Sequence, residues 1–310
     1  MTTASQLPPG EVPAIEGVRD DTSVVALGLS ILIPCYNEAR SIASTIAQVR
    51  ETVSSLACAF EILVIDDGSR DGTAAIAQDA GVRVIAKAAN EGYGAALKSG
   101  LLQARFGWIA ITDADGTYPI TDIARLAAST TDYDMVVGAR TGEEVHIPML
   151  RRPAKWAINQ LANYLSGFRI PDLNSGLRLF RKELGQRFYS LYPDGFSFTT
   201  TITVSALTNG YRVKFVPINY FKRVGSSSIH PIKDTIGFTI LVVRLATWFK
   251  PLNVFIPPAF LLFTVGLAKA LVDLARTNAF GVGSSLIMLV GVQIGFMGLL
   301  ADLVLRRTKL

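Results

Sequence analysis

The sequence predicts an α/β domain built on a mainly parallel sheet covered on both faces, followed by an interfacial amphipathic helix and two transmembrane helices. Three observations predict it. Short apolar runs alternate with helical stretches from Leu27 to about Gly138. Polar clusters recur at the ends of three of those runs: Pro34-Cys-Tyr-Asn-Glu38, Asp66-Asp-Gly-Ser69 and Asp113-Ala-Asp-Gly116. Half of the residues are hydrophobic and only 18% are charged, and the apolar excess lies at the C-terminal end.

Residues 1–23 are polar and contain Pro and Gly, with no basic stretch ahead of an apolar core, so a disordered leader is expected and not a signal peptide. Leu29–Ile33 reads as a strand ending at Pro34. Ser41 to Leu56 carries apolar residues near helical spacing and reads as a helix. Glu61–Ile65 is a second strand, a helix follows from about Gly72, and Val82–Ala86 is a third strand. Gly94 to Ala104 is helical and Trp108–Ile111 is a fourth strand, broken by Gly116 and Pro119. Asp122–Ala128 reads as a helix, Met135–Val137 as a fifth strand, Gly195 to Leu207 as a helix and Arg212–Pro217 as a further strand. The α/β domain is expected to span residues 24–230.

Residues 140–190 are rich in cations, among them Arg140, Arg151, Arg152, Lys155, Arg169, Arg178, Arg181, Lys182 and Arg187. About half of these are expected to be solvated helix faces.

In an open α/β sheet, ligands bind outside the carboxyl ends of the strands. Asp113 and Asp115, one residue apart at such an end, suit a hard divalent cation, Mg²⁺ or Mn²⁺, with a nucleotide's phosphates completing its shell. The three polar clusters at equivalent strand ends converge on one rim, which points to a nucleotide site. Asn90-Glu-Gly-Tyr-Gly-Ala-Ala-Leu97 contains GxG, but Leu97 stands where a dinucleotide fingerprint needs its third glycine. Either its backbone approaches a phosphate or the glycines make the turn. GxxxxGK[ST] is absent, which argues against a P-loop enzyme. Lys222-Arg-Val-Gly-Ser-Ser-Ser228 offers two cations and a Ser/Gly turn, a phosphate nest.

The net charge of +5 suits nucleic acid, anionic lipid or a phosphorylated substrate and does not choose among them. Cys35 and Cys58 fit no metal-ligand or CxxC spacing, so a reducing compartment is expected.

Pro231–Phe249 places Ile232, Ile236, Ile240 and Val243 mainly on one side, and Trp248 and Lys250 close it. This pattern predicts an interfacial helix over 231–250. Leu252–Ala268 and Phe280–Ala301 carry no charge, and two transmembrane helices are expected within 251–305, with a cytoplasmic tail at 306–310. Lys269 and Asp273 share a helix face, where they pair, snorkel or meet a lipid headgroup. The short connector holds only Arg276, while Arg244 and Lys250 precede the spans and Arg306, Arg307 and Lys309 follow them. The positive-inside rule therefore puts both termini and the α/β domain in the cytoplasm of a cell-membrane protein. Gly291-Val-Gln-Ile-Gly295 allows a close helix neighbour, either the first span or another subunit.

With these clusters in place, the chain resembles the family 2 glycosyltransferases of GT-A fold, and within them the polyprenyl-phosphate glycosyltransferases (the dolichol-phosphate mannose synthase group). The resemblance covers roughly Ser30 to Pro231 and is carried by Pro-Cys-Tyr-Asn-Glu38, Asp66-Asp-Gly-Ser69, Asn90-Glu-Gly-Tyr-Gly94, Asp113-Ala-Asp115, Gly-Ala-Arg140, Asn-Ser-Gly176 and Lys-Arg-Val-Gly225, all in order. It implies that Pro34, Tyr36, Glu38 and Gly92 line the nucleotide-sugar pocket, with Asp66 and Asp67 near base and ribose. It implies that Asp113 and Asp115 form the DxD pair serving ribose, metal and diphosphate. Some family members place Gln two residues past the second aspartate; Thr117 stands there, and no third protein ligand is expected. Arg140 and Arg223 match arginines around the donor and acceptor phosphates, with Ser175 and Ser227 beside the acceptor phosphate. Relatives often carry lysines where Ser226 and Ser228 stand.

The expected reaction is metal-dependent transfer of one sugar, with inversion, from a UDP- or GDP-linked donor to a polyprenyl phosphate on the cytoplasmic leaflet. Charge developing on the leaving diphosphate is neutralised by a cation and arginines. The acceptor phosphate is largely ionised at neutral pH, its second pKa lying near ~6. Asp172 is the residue nominated to position or deprotonate it, with a helix or turn cap as the other reading. Expected partners are the donor, the lipid phosphate and the bilayer, with homo-oligomers possible through the spans and no nucleic acid. One rival is a processive polysaccharide synthase, against which the missing QxxRW stands. The other is a catalytically silent nucleotide-binding scaffold.

Overall fold

The computed structural model describes residues 28–143, 152–195, 197–221 and 231–308. The expected leader at 1–23, and Arg223, Ser227 and the rest of the Lys222–Ser228 nest, lie outside the described residues.

Five strands come at or within two residues of their expected limits: β1 (Leu29–Cys35), β2 (Phe60–Asp66), β3 (Arg83–Ala86), β4 (Trp108–Ile111) and β5 (Met135–Ala139). Between them run α1 (Ile42–Ser54), α2 (Thr73–Asp79), α3 (Tyr93–Gln103) and α4 (Asp122–Ala127). Then follow α5 (Arg152–Ser166), β6 (Arg178–Arg181), α6 (Lys182–Arg187), α7 (Phe198–Thr208) and β7 (Val213–Pro217). The strands form one sheet in the order β3-β2-β1-β4-β6-β5-β7. All neighbours are parallel except β6, which runs antiparallel to both β4 and β5.

Strand alternation sorts the apolar residues into two cores. Leu32, Leu63, Ile65, Ile109, Ile111, Val137 and Phe180 face α3, α6 and α7. Leu29, Ile31, Ile33, Val64, Ala110, Val136 and Leu179 face α1, α2 and α4. α1 shows the matching helical stripe, with Ile42, Thr45, Ile46, Val49 and Val53 buried.

β6 corrects the reading of the cation-rich stretch. Arg178–Arg181 is an internal strand, with Ile109 opposite Phe180 and Val137 opposite Arg178. Arg178 is fully buried, held by the carbonyls of Ser175 and Thr199 and by the Thr203 hydroxyl. Burial lowers its pKa to about 10.

α8 (Pro231–Phe249) packs Val242, Leu245, Ala246 and Phe249 into the core beside α5 and α7, while Ile240 and Trp248 remain exposed. Lys250 joins it directly to α9 (Pro251–Thr277), and α10 (Val282–Thr308) returns along α9. Both are long and apolar enough to cross a membrane, over Pro251–Arg276 and Val282–Leu305. α10 continues as helix through Arg306 and Arg307 to Thr308, into the stretch read as the C-terminal tail. Lys269 pairs with Asp273 at 3.0 Å, and Ser284 of α10 donates to the same carboxylate at 2.9 Å. The Gly291–Gly295 pair faces α9: a Cβ on Gly291 would lie 2.8 Å from the Phe263 nitrogen and 2.9 Å from the Ala259 carbonyl oxygen.

Candidate active site

The parallel strands end on one rim, and the expected site residues sit along it in different states. Pro34 is buried inside β1, while Tyr36 just beyond is 43% exposed. Asn37 takes a left-handed conformation (φ 56°) and is stitched to the β2 loop in both directions. Its N–H donates to Ser69 Oγ at 2.8 Å, and its side-chain oxygen accepts from the Arg70 N–H at 2.9 Å. Glu38 N–H donates to Thr73 Oγ1 at 2.9 Å, so the ledge carrying Tyr36 and Glu38 is fixed by α2.

Asp66 and Asp67 are both 3% exposed and are engaged by protein groups. Asp66 accepts from the Ser69 hydroxyl and backbone and from the Cys35 thiol. Asp67 accepts the N–H groups of Glu91 (3.1 Å) and Gly92 (2.8 Å), with Lys87 at 3.6 Å. In this geometry they shape the rim by fastening its loops.

At Gly92 and Gly94, the glycines of the GxG, another stretch of the protein's own backbone comes close. A Cβ on Gly92 (φ 108°) would lie 2.5 Å from the Asp194 carbonyl oxygen, and one on Gly94 would collide with the carbonyls of Pro193 and Gly195. The N–H groups of Gly94 and Ala95 already donate to Gly195 and Asp194, each at 3.0 Å. The glycines therefore admit the 193–195 loop against the first turn of α3, and these amides have protein acceptors.

Asp113 and Asp115 follow β4 at the middle of the rim. The partly buried Tyr93, first residue of α3, donates its hydroxyl to Asp113 Oδ1 at 3.0 Å. Burial, and then the Asp113 charge, hold that phenol well above its usual range, so it remains a donor. Asp115 Oδ1 accepts from the Thr117 hydroxyl at 2.6 Å and its N–H at 3.2 Å. Among the described residues no three His, Cys, Asp or Glu side chains gather as a metal-holding group. The donor set is thus two carboxylates, which fits a hard Mg²⁺ or Mn²⁺ that takes its remaining oxygens from phosphates and water.

Arg140 follows β5 and pairs with Asp172, at the head of the turn whose Gly176 would bring a Cβ within 3.0 Å of Asp113 Oδ2. Its Nε and Nη2 donate to Asp172 Oδ2 and Oδ1 at 2.6 and 2.9 Å, and its own N–H donates to Oδ2 at 3.0 Å. Its guanidinium carbon lies 5.0 Å from the centre of the Tyr220 ring. Burial raises the Tyr220 phenol, Arg140 and a side-chain hydrogen bond with Thr117 pull it down, and the charges of Asp113 and Asp115 add to the rise. The Tyr220 ring thus lies under the cation, and its side chain bonds to the Thr117 that holds Asp115. Tyr118 closes the floor, its hydroxyl accepting the Gly176 N–H at 2.6 Å. Ser175, expected at the acceptor phosphate, is fully buried and donates its hydroxyl to the Gly138 carbonyl. Its role in this geometry is to fasten the turn after Asp172 to β5.

Tyr93, Tyr118 and Tyr220 are the residues that sequence reasoning passed over. Tyr93 lies inside a quoted cluster and Tyr118 two residues past another, yet tyrosine at such positions reads equally as core. Tyr220 belongs to no cluster, and only the return of the chain after β7 brings it to Arg140.

A family model described as Glycosyl transferase family 2 matches residues 30–188. A second, described as GtrB C-terminal hairpin, matches residues 250–306. The chain is 32% identical over 290 residues to "Glycosyltransferase AglJ" of Haloferax volcanii, covering 89% of this chain and 93% of that protein. It is 31% identical over 222 residues to "Dolichyl-phosphate hexose transferase" of the same organism, covering 70% of this chain and 94% of that protein. The fold is similar to glucosyl-3-phosphoglycerate synthase from Mycobacterium tuberculosis, solved with Mn²⁺, uridine diphosphate and glucosyl-3-phosphoglycerate. There the TM-score is 0.55 at 18% identity, over 71% of this chain and 78% of that one.

Proposed function

The chain belongs to glycosyl transferase family 2 and is a glycosyltransferase, and we propose that it moves a single sugar, with inversion, from a UDP- or GDP-linked donor to a polyprenyl phosphate at the cytoplasmic leaflet. The observation that carries this reading is that the turn running from Asp172, which clamps Arg140, to Gly176 abuts Asp113 of the Asp113/Asp115 pair, in a chain whose C-terminal helices are long and apolar enough to span a bilayer. A relative named for dolichyl-phosphate hexose transfer supports the acceptor class. The structural relative solved with Mn²⁺ and uridine diphosphate supports a divalent cation and a nucleotide donor.

In this reading Asp113 and Asp115 would hold Mg²⁺ or Mn²⁺, which when bound neutralises charge growing on the leaving diphosphate. Tyr93 and Thr117 fix the rotamers of those carboxylates. Arg140 meets the acceptor phosphate, and Asp172 keeps that guanidinium in place. The acceptor is largely dianionic at neutral pH, so the attacking oxygen is already deprotonated and Asp172 serves as a positioning residue. A lipid acceptor explains the anchor: only the headgroup has to enter the cleft, and the spans hold the cleft at headgroup depth.

The test is a donor panel. Purified full-length enzyme receives undecaprenyl or dolichyl phosphate, Mg²⁺ or Mn²⁺, and each candidate nucleotide-sugar. One donor is expected to yield a lipid-linked monosaccharide, abolished by chelation. Transfer to water-soluble acceptors with none to lipid phosphate overturns the reading.

A further inference from the structure

We propose that Tyr220 is a positioning residue for Arg140 and, through it, for the acceptor phosphate; this rests on the reading of the site given above. A two-pronged pair with a carboxylate fixes a guanidinium within its own plane but leaves it free to tip about the line joining the two groups. The Tyr220 ring removes that freedom. It lies 5.0 Å from the guanidinium carbon, and the negative face of an aromatic ring attracts a cation placed over it. With Asp172 on its edge and the face of the Tyr220 ring beneath its carbon, Arg140 is held before any phosphate arrives, and its Nη1 makes no hydrogen bond among the described residues. Pre-ordering a long side chain in this way removes an entropic penalty from phosphate binding.

The ring is itself fixed from two directions. Ile218 N–H donates to the Ala139 carbonyl at 2.8 Å, next to Arg140. Phe221 N–H donates to the Thr117 carbonyl at 2.9 Å, and Thr117 is the residue that holds Asp115. The edge of Tyr118 packs on Tyr220 with centroids 5.2 Å apart. The segment 218–221 thus ties the strand end carrying Arg140 to the turn carrying the two aspartates. The spacing between the cation and the carboxylates is set by chain segments that sequence separates widely. An aliphatic side chain would keep an apolar contact there without attracting the guanidinium.

The experiment uses the full-length enzyme in nanodiscs, with lipid phosphate varied at saturating donor. Tyr220→Leu is expected to raise the acceptor KM on the order of three- to thirty-fold, the range of a partly desolvated cation–π contact, any change in donor KM being shared by Tyr220→Phe, which also loses the bond to Thr117. Tyr220→Phe, which keeps the ring, is expected to recover most of that loss. In an Arg140→Gln background Tyr220→Leu is expected to add less than about twofold. Tyr220→Met, without an aromatic face, serves if Tyr220→Leu does not fold. A thermal-melt cycle on the same four proteins reads the contact without turnover, and coupling between the two substitutions is expected there too. Independent, multiplying effects in either cycle overturn the proposal, as does an unchanged acceptor KM in folded Tyr220→Leu. Absence of lipid-phosphate turnover in the unsubstituted enzyme, with thermal coupling intact, overturns the functional reading and leaves the contact standing.

Discussion

Asp172 receives three donors from Arg140, two from the guanidinium at 2.6 and 2.9 Å and one from its backbone N–H at 3.0 Å. Asp172 is 1% exposed and the Arg140 side chain 12%, so the pair is held away from solvent. Burial opposes the charge on Arg140, while Tyr118 and Asp172 raise its pKa well above the usual value. It keeps its charge at any working pH.

Replacing Asp172 with Asn should therefore act on stability and on phosphate binding together. Removing one partner of a buried pair costs roughly 3–5 kcal/mol, read as a lower denaturation midpoint. The acceptor KM should rise. A general base would show differently: kcat would fall with KM unmoved, and the acidic limb of the pH–rate profile would disappear.

Tyr93→Phe and Thr117→Val each remove one hydroxyl from the aspartate pair, at 3.0 Å from Asp113 and 2.6 Å from Asp115. Loss of such supporting donors lowers metal affinity by roughly 10- to 100-fold. Mn²⁺ titrations followed by electron paramagnetic resonance should show the weaker binding without the donor present, and the Mn²⁺ dependence of turnover should shift in parallel.

Gly94→Ala should damage folding before chemistry. The added methyl meets the backbone carbonyls of Pro193 and Gly195, which cannot swing aside as a side chain can. Overpacking of this kind costs roughly 1–3 kcal/mol. Thermal melts should show it, with protease cleavage near the 193–195 loop appearing earlier than in the parent.

A Cβ on Gly295 would stand 3.8 Å from the Ala259 Cβ, within disulfide range. In a background lacking Cys35 and Cys58, the Ala259→Cys/Gly295→Cys protein should cross-link within one chain on mild oxidation. Adding Gly291→Leu should abolish that bond, because its side chain would enter the Phe263–Ala259 backbone. Cross-links only between chains would show that the glycine face meets another subunit.

The two native thiols should differ in reactivity. Burial first, then the neighbouring Asp66, pushes the Cys35 thiol far above its usual pKa. Only burial acts on Cys58, which is part exposed. A raised pKa lowers the thiolate fraction at a given pH, so iodoacetamide at pH 8 should label Cys58 well ahead of Cys35. Mass spectrometry of the digested protein reads the order.

Local periodicity was enough for β1 through β5, for α1, α3 and α4, and for both apolar spans, because each is written in consecutive residues. The Asp113/Asp115 pair at a strand end was legible for the same reason. β6 was not: a four-residue strand with arginine at both ends reads as polar surface, and Arg178 becomes interior only through Ser175, Thr199 and Thr203.

Asp66, Asp67, Gly92 and Ser175 mark the limit most plainly. An aspartate at a strand end looks the same in sequence whether it faces a ligand or the amide of Gly92, and Ser175 looks the same exposed or buried against Gly138. By itself the sequence determined which elements form, where they end and which residues could carry charge at the rim. Only the tertiary structure decided which of those charges are already satisfied by protein partners and that Arg140 stands clamped by Asp172 and Tyr220. The pairings of Asp67 with Gly92 and of Arg140 with Asp172 and Tyr220 join residues 25 to 80 positions apart, and hydrogen bonds and ring contacts of a few ångströms are fixed by chain crossings that no local pattern records.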